Sequence, residues 1–173
     1  MCPRTLGKVM MALPVLVAAF GRPEPAAAAP AFFSLRWHLT QVGLQQLGRP
    51  YDFGAELSHH LCGRAGVIPP PPRAFDCSAF TQYVYNCRSS IPIPRSSYQQ
   101  AVANVGVRIP WQHSVQSDLV FFQTSDRAPI THVAMRYSPG QLLHTFGAGG
   151  VHVGGYTSFW QSHSRLARRY AWS

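Results

Sequence analysis

The hydrophobic periodicity of the chain changes from helical in its first half to strand-like in its second. Helical spacing of apolar residues, or a helix cap, marks residues 34–47, 77–87 and 96–103. Runs rich in β-branched and aromatic residues follow at 118–122, 131–137, 141–146, 151–153 and 165–172. Helices that precede a run of strands predict an α+β fold, with N-terminal helices packed on a central antiparallel sheet.

Local signals mark the ends of these elements. We expect Gly48 to stop the first helix, Asp76 to cap the second, and Ser96 or Ser97 to cap the third. A turn at 138–140 separates two of the strands. The sequence shows no internal repeat and no second domain.

The N-terminus has the pattern of a secretory signal peptide. Arg4 and Lys8 precede the apolar stretch 9–20, and small residues follow at 26–31. The apolar stretch is short for a membrane span, although an uncleaved anchor remains an alternative. We therefore predict a signal peptide at residues 1–30, a single mature domain at 31–173 without a stable membrane span, and a secreted or periplasmic location at the cell envelope.

The charge is strongly basic, with a formal net charge of +9, and Lys8 is the single lysine. No element interleaves basic and aromatic residues, and Arg168-Arg169 is the one basic pair, so a nucleic-acid partner is not predicted. Anionic cell-envelope polymers fit both the charge and the export signal. The alternative is that the arginines reflect only the base composition of the genome.

Three cysteines remain once the signal peptide is removed: Cys62, Cys77 and Cys87. An odd number in an exported protein suggests one disulfide and one free thiol. Cys77 is the candidate for the free thiol, and Cys62 would pair with Cys87 unless all three are reduced. His59 and His60 lie near Cys62, but no second ligand pair has metal-site spacing, so no metal is predicted.

The most informative chemistry is a cysteine followed by two histidines. Cys77 comes directly after the predicted cap Asp76, and a helix N-terminus lowers the pKa of a thiol. His132 and His144 lie on two strands joined by a tight turn, which brings their side chains onto one face. This order predicts a nucleophile, a general base and a group that orients the base. The alternatives for the third position are Gln141 and His152.

Several short motifs extend this pattern. They are Arg49–Gly54, Asp76–Phe80, Pro94–Gln100, Ser117–Phe122, Thr131–Ala134, Leu143–Thr145 and Arg168–Arg169. In this order they resemble the motifs of the NlpC/P60 cell-wall cysteine peptidases, including the nucleophile motif Asp-Cys-Ser-Gly-Phe. The resemblance covers residues 40–172, and its strength lies in the order and spacing of the motifs.

The resemblance implies a papain-like α+β fold and hydrolysis of peptidoglycan stem peptides, most often between γ-D-glutamate and the following diamino acid. It implies no cofactor. Cys77 would be the nucleophile, His132 the general base and His144 the orienting residue. The Tyr51 hydroxyl and the Cys77 backbone N–H would stabilise the oxyanion. The residues expected to line the substrate groove are Asp76, Ser78, Arg95 and Ser96.

The chain departs from the family pattern in four places. Ala55, Ala79 and Ser117 stand where the family has glycine, and Ser117 is expected to cost some turn strain. The segment between Tyr51 and Cys77 is about twice as long as in the family. Long surface insertions cost little loop entropy. We hypothesise that this insertion, at about 55–74, rims the substrate groove and narrows specificity.

Three alternatives use the same residues differently. One alternative is a related papain-like amidase that cuts another bond of the cell wall, and a second is a toxin delivered against competing bacteria with the same chemistry. It would instead be a non-catalytic cationic protein that binds the envelope if Cys77 does no chemistry.

Overall fold

The computed structural model describes residues 31–55, 70–87, 89 and 91–171. The predicted signal peptide, the body of the predicted insertion and Cys62 lie outside the described residues, so the predicted disulfide is not tested.

The helices and strands follow the predicted order. The helices are α1 (Ala31–Leu44), α2 (Cys77–Gln82), α3 (Ser97–Val102) and α4 (Ser158–His163). The strands are β1 (Val107–Ile109), β2 (Leu119–Phe122), β3 (His132–Ser138), β4 (Gln141–Thr145), β5 (Val151–Gly155) and β6 (Ser164–Arg169). A π-helical turn (Tyr83–Cys87) continues α2, and 3₁₀ turns lie at Trp111–His113 and Gly147–Gly149. No helix among the described residues is both long and apolar enough to cross a membrane.

Within the described residues, the strands form one antiparallel sheet in the order β1-β6-β2-β3-β4-β5. This confirms the predicted α+β fold with helices on a central antiparallel sheet. Apolar pairs occupy the middle of the sheet: Val133 of β3 pairs with Phe121 of β2, and Met135 of β3 pairs with Leu143 of β4. These residues are completely buried, so the sheet places β3 and its first residue, His132, in the middle of the molecule.

The larger core lies between the sheet and the helices α1 and α2. Phe80 and Val84 are buried against Met135 and Leu143, and burying each such side chain contributes about 1.5–3 kcal/mol. Helix α1 comes closest at Gly43, where an added Cβ would lie 2.7 Å from the Leu143 side chain. A smaller cluster packs on the opposite side, around Val120, Phe122, Leu142 and Tyr156, with Trp160 against it.

Several predicted boundaries shift in the structure. Helix α1 ends at Leu44, and residues 45–48 form a turn that closes at Gly48, whose φ is +80°. Strand β1 and helix α4 were not predicted, because elements of three and six residues are too short to establish a periodicity. Ser96 rather than Ser97 caps α3, through a capping box with Gln99.

Ser117 adopts a φ of +67°, a left-handed conformation that favours glycine. This conformation agrees with the turn strain that the sequence predicts for a serine at this position. Ser117 is held by its N–H, which donates to the Arg136 carbonyl at 2.8 Å.

Candidate active site

Cys77 is the first residue of α2, and the described part of the chain contains it as a free, buried cysteine. The backbone N–H groups of Val133 and Ser78 lie near enough to its sulfur to lower the pKa of the thiol. Val133 directly follows His132, so the sulfur lies against β3 beside that histidine's own backbone. The helix thus brings the nucleophile candidate to the start of the strand that carries the base candidate.

Asp76 positions this helix N-terminus. Its Oδ1 accepts a 2.7 Å hydrogen bond from the Ala79 N–H, as an N-cap carboxylate does. The Ser78 hydroxyl donates to the same oxygen, and Arg95 pairs with Oδ2 at 2.6 Å. The Gly54 N–H also donates to Oδ2, at 3.2 Å. Both carboxylate oxygens are therefore occupied by donors that fix the residue before Cys77.

His132 and His144 meet as their strands predict. The Nε2 atom of His132 and the Nδ1 atom of His144 are 2.9 Å apart, and both side chains are almost completely buried. A third histidine, His152, contacts His144 with ring centroids 4.6 Å apart and the ring planes tilted by 47°. The Nδ1 atom of His152 lies 2.9 Å from the Gly150 carbonyl, which can only accept, so this nitrogen carries a proton.

Aromatic side chains enclose His132 and exclude water from it. Its ring centroid lies 5.1 Å from that of Trp160, 5.4 Å from that of Phe146 and 5.7 Å from that of Phe122. Trp160 also packs edge-on against His144, at 5.0 Å. The two histidines therefore form a hydrogen-bonded pair inside an apolar cage.

This burial controls the charge of the site. Burial lowers the pKa of His132 well below its ordinary 6.5, and the charges of His144 and His152 lower it further. Burial, with the charge of His152, also lowers the pKa of His144, to about 3. Both rings are thus neutral at neutral pH.

The Cys77 thiol does not follow the sequence expectation of a lowered pKa. Burial raises the pKa of Cys77 to about 11 and the Asp76 carboxylate adds to this, against the Val133 and Ser78 N–H groups and Arg95. No hydrogen bond joins the sulfur to the His132 ring among the described residues. Desolvation outweighs the helix N-terminus, so the site rests as a neutral thiol and a neutral imidazole.

Tyr51 lies beside the nucleophile in spite of the longer insertion. The Tyr51 segment pairs with Phe75, because the Asp52 N–H donates to the Phe75 carbonyl and the Phe75 N–H donates to the Pro50 carbonyl. Burial raises the pKa of the Tyr51 phenol, and the charges of Cys77 and Asp76 raise it further. The two ends of the insertion thus meet directly before Cys77.

Two of the remaining predicted groove residues, Ser78 and Arg95, contact Asp76, whereas the third, Ser96, caps α3. Arg95 donates to Asp76, to the Ser78 hydroxyl and to the Ala55 carbonyl at the start of the insertion. Ser78 is buried, whereas the Arg95 side chain is 27% exposed. The Ser96 hydroxyl accepts from the Gln99 N–H and so is used by the helix cap.

From the sequence, His152 is expected only as a substitute for His144, and Trp160 and Phe146 have no predicted role. The structure places His152 next to His144 rather than in its place. Aromatic residues in a loop and a short helix carry no periodic signal, so their convergence on His132 follows only from the fold.

The sequence model of the NlpC/P60 family matches residues 48–169. This range contains Tyr51, Asp76, Cys77, His132 and His144, together with the whole six-stranded sheet. Helix α1 lies before it.

Two curated relatives agree with this match. The chain is 27% identical over 134 residues to a γ-DL-glutamyl hydrolase of Bacillus subtilis, covering 76% of this chain and 29% of that protein. It is 32% identical over 110 residues to a probable endopeptidase of Haemophilus influenzae, covering 61% of this chain and 67% of that protein. The chain thus spans less than a third of the first relative's length and about two thirds of the second's.

Solved structures show the same fold. A NlpC/P60 family protein from Bacillus cereus is 29% identical with a TM-score of 0.61, over 79% of this chain and 40% of that one. The NlpC/P60 domain of the peptidoglycan hydrolase SagA is 25% identical with a TM-score of 0.59, over 78% of this chain and 97% of that domain.

Proposed function

The chain belongs to the NlpC/P60 family, and we propose that it is an exported cysteine peptidase that hydrolyses peptidoglycan stem peptides. The proposed bond joins γ-D-glutamate to the following diamino acid. One observation carries the proposal: Nε2 of His132 lies 2.9 Å from Nδ1 of His144, and the N–H of the next residue of β3, Val133, acts on the sulfur of Cys77.

The hydrogen bond between the two histidines supports a definite tautomer for the base. For His132 Nδ1 to take a proton, the neutral ring must carry its own proton on Nε2 and donate it to Nδ1 of His144. His144 must then carry its proton on Nε2. In this arrangement His144 orients His132 and stabilises the imidazolium that forms during catalysis.

Acylation begins from the neutral pair. Nδ1 of His132 takes the thiol proton as the sulfur of Cys77 attacks the carbonyl carbon of the scissile amide. The C–N bond of the tetrahedral intermediate then breaks, and His132 returns the proton to the leaving amine. The products of this half-reaction are a thioester on Cys77 and a free amine on the diamino acid.

Stabilisation of the oxyanion is assigned to two donors beside the sulfur. The N–H of Cys77 stands at the first position of α2, where a helix has no internal partner for it. The Tyr51 hydroxyl is the second donor, and its proximity to Cys77 is supported by the effect of the Cys77 charge on its pKa. Each such donor contributes about 3 kcal/mol to catalysis.

Deacylation uses the same residues in reverse. His132 removes a proton from water, the hydroxide attacks the thioester carbonyl, and the thiol leaves with the proton that His132 returns. The peptide is released with a free γ-carboxyl group, and Cys77 is regenerated without a cofactor.

Two comparisons support the substrate. The SagA relative is named a peptidoglycan hydrolase, and the Bacillus subtilis relative is named for a γ-glutamyl bond. Asp76, Ser78 and Arg95 lie at the helix start beside Cys77, and these residues, with Ser96, are proposed to line the groove that holds a charged peptide. The predicted signal peptide supplies the export, and the insertion, whose ends meet beside Cys77, is proposed to rim this groove.

Digestion of purified sacculi tests the proposal. Wild-type protein should release fragments whose masses place the cut after γ-D-glutamate, and Cys77→Ala should release none while its fold is retained. Equal lysis by Cys77→Ala, or binding of sacculi without lysis by wild type, would instead favour the non-catalytic alternative. Fragment masses that place the cut at another bond would favour the amidase alternative.

A further inference from the structure

Arg136 of β3 is a buried cation far from the active site. It is 9% exposed, and its guanidinium carbon lies 4.4 Å above the ring of Tyr156. Nη2 donates to the Pro139 carbonyl, but Nε and Nη1 are buried without a hydrogen-bond partner among the described residues. Four residues of strand, about 13 Å, separate Arg136 from His132.

No described carboxylate neutralises this charge. Asp118 is the backbone neighbour of Arg136 across the sheet, since the Arg136 N–H donates to the Asp118 carbonyl. The Asp118 carboxylate, however, pairs with Arg36 and Arg169 and accepts from the Val115 N–H. Burying a charge without a partner of opposite charge costs several kcal/mol. The buried guanidinium of Arg136 is therefore expected to have a compensating group.

Arg136 lines a cavity of about 460 Å³. The cavity is also lined by Gln112 and Gln116, whose side-chain amides can donate hydrogen bonds to an anion. Ser114 and Ser138 line it too, but their hydroxyls already donate to the Trp111 carbonyl and to the side-chain oxygen of Gln141. Neither Cys77 nor His132 nor His144 lines it, and its volume suits a small ligand or the end of a chain.

We propose that this cavity is a binding site for a small oxyanion, a carboxylate or phosphate group that pairs with Arg136. The anion supplies the negative charge that the described residues do not supply, and the amide groups of Gln112 and Gln116 donate the remaining hydrogen bonds to it. Because Nε and Nη1 are shielded from solvent, binding includes a small shift of the guanidinium toward the cavity. The site is independent of the peptidase reaction and is testable in protein that lacks the nucleophile.

The test is a residue-resolved NMR titration of the Cys77→Ala protein with three probes. N-acetylalanine carries the carboxylate, glycerol phosphate carries the phosphate, and N-acetylalanine amide is the neutral match of the first. We expect saturable shifts at Gln112, Gln116 and Arg136 with at least one anionic probe, and binding at least tenfold weaker for the amide. Which anion binds more tightly identifies the source of the ligand.

Variants separate this site from general charge attraction. Arg136→Met should weaken binding of the anion at least tenfold, whereas Arg108→Gln, which removes an exposed charge on β1, should leave it unchanged. Gln116→Glu places a competing carboxylate in the cavity and should also abolish binding, which keeps the test valid if Arg136→Met does not fold. Absence of saturable shifts, equal loss in Arg108→Gln, or wild-type binding by Gln116→Glu would overturn the proposal.

Discussion

The two sides of the Cys77 sulfur are built in opposite ways. On one side, Asp76, Ser78 and Arg95 form an ionic network in which each carboxylate oxygen has at least two donors. On the other side, His132 and His144 are neutral rings in an aromatic cage, joined by one hydrogen bond. The first side holds its charges in fixed geometry, and the second suppresses charge by excluding water.

This difference separates position from reactivity. The ionic side fixes the start of α2, and therefore the sulfur, with hydrogen bonds to backbone and side chains. The neutral side sets the proton affinity of the base through desolvation. A change on the ionic side should therefore act mainly on folding, and a change on the neutral side mainly on the rate and its pH dependence.

The sharpest test of the neutral side is His132→Gln, which we expect to lower kcat/KM by about 10²–10⁴-fold. Glutamine keeps a polar side chain at the position but cannot take the thiol proton. Assays on soluble muropeptides measure the rate, and thermal unfolding should show little loss of stability. The control is His113→Gln, at an exposed histidine of a 3₁₀ turn, which should leave both unchanged.

On the ionic side, Asp76→Ala should destabilise the fold by about 3 kcal/mol, because it leaves Arg95 without its partner and removes the cap of α2. Urea unfolding measures the loss. Asp76→Asn keeps an oxygen for the Ala79 N–H and should lose less. Asp126→Ala, at an exposed turn, is the matched control. A stable Asp76→Ala protein would mean that the ionic network does not fix the helix start.

On the ionic side the helix start was predictable from the sequence but the ion pair between Asp76 and Arg95 was not, and the neutral side was predictable only in part. A cap before an apolar-periodic segment places Asp76 and Cys77 at a helix start by local rules, and the structure agrees. The approach of His132 to His144 also followed from two strands and a short turn.

The charge state of the site did not follow from the sequence. Local rules gave Cys77 a lowered pKa, but burial in the folded protein raises the pKa of the thiol, and that burial depends on residues distant in sequence. The positions of Trp160 and Phe146 around His132 likewise depend on the closing of the sheet. The sequence therefore predicts which groups react, whereas burial in the folded protein determines their protonation.

Alkylation of Cys77 measures that protonation directly. The thiolate is the reactive form, and a pKa raised from 9.0 to about 11 leaves about a hundredfold less thiolate at pH 8 than an unperturbed cysteine would have. The rate with iodoacetamide should therefore still be rising above pH 9, with the signal of Cys77→Ala subtracted. A plateau between pH 5 and 8 would contradict the neutral pair and indicate a thiolate–imidazolium pair at rest.

The neutral side should also make the fold acid-sensitive. The pKa of His144 is about 3 in the folded protein, against 6.5 for an ordinary histidine, so the unfolded chain binds a proton first as the pH falls. The free energy of unfolding is unaffected above pH 6.5 and falls by about 1.4 kcal/mol per pH unit below it, until about pH 3. Urea unfolding at pH 7 and pH 5 should show a smaller difference in His144→Gln than in wild type.

For comparison, His113→Gln changes an exposed histidine and should keep the wild-type difference between pH 7 and pH 5. If His144→Gln also keeps it, then the buried ring is not the source of acid sensitivity.

The smallest change that probes the neutral side is Gly154→Ala. An added Cβ would lie 3.3 Å from Nε2 of His144 and 3.3 Å from Nε2 of His152, which is tight enough to displace the rings by a few tenths of an ångström. Such a shift should lengthen the contact between His132 and His144, and we expect kcat to fall by about three- to tenfold with KM unchanged.

Gly155→Ala is the control, since its Cβ meets only the Thr157 methyl at an ordinary 3.4 Å. If both variants lose the same activity, the effect comes from the strand rather than from the rings. If neither loses any, the orientation of the His144 ring does not limit the rate, and desolvation by Trp160 and Phe146 is left as the feature of this side that sets the activity of His132.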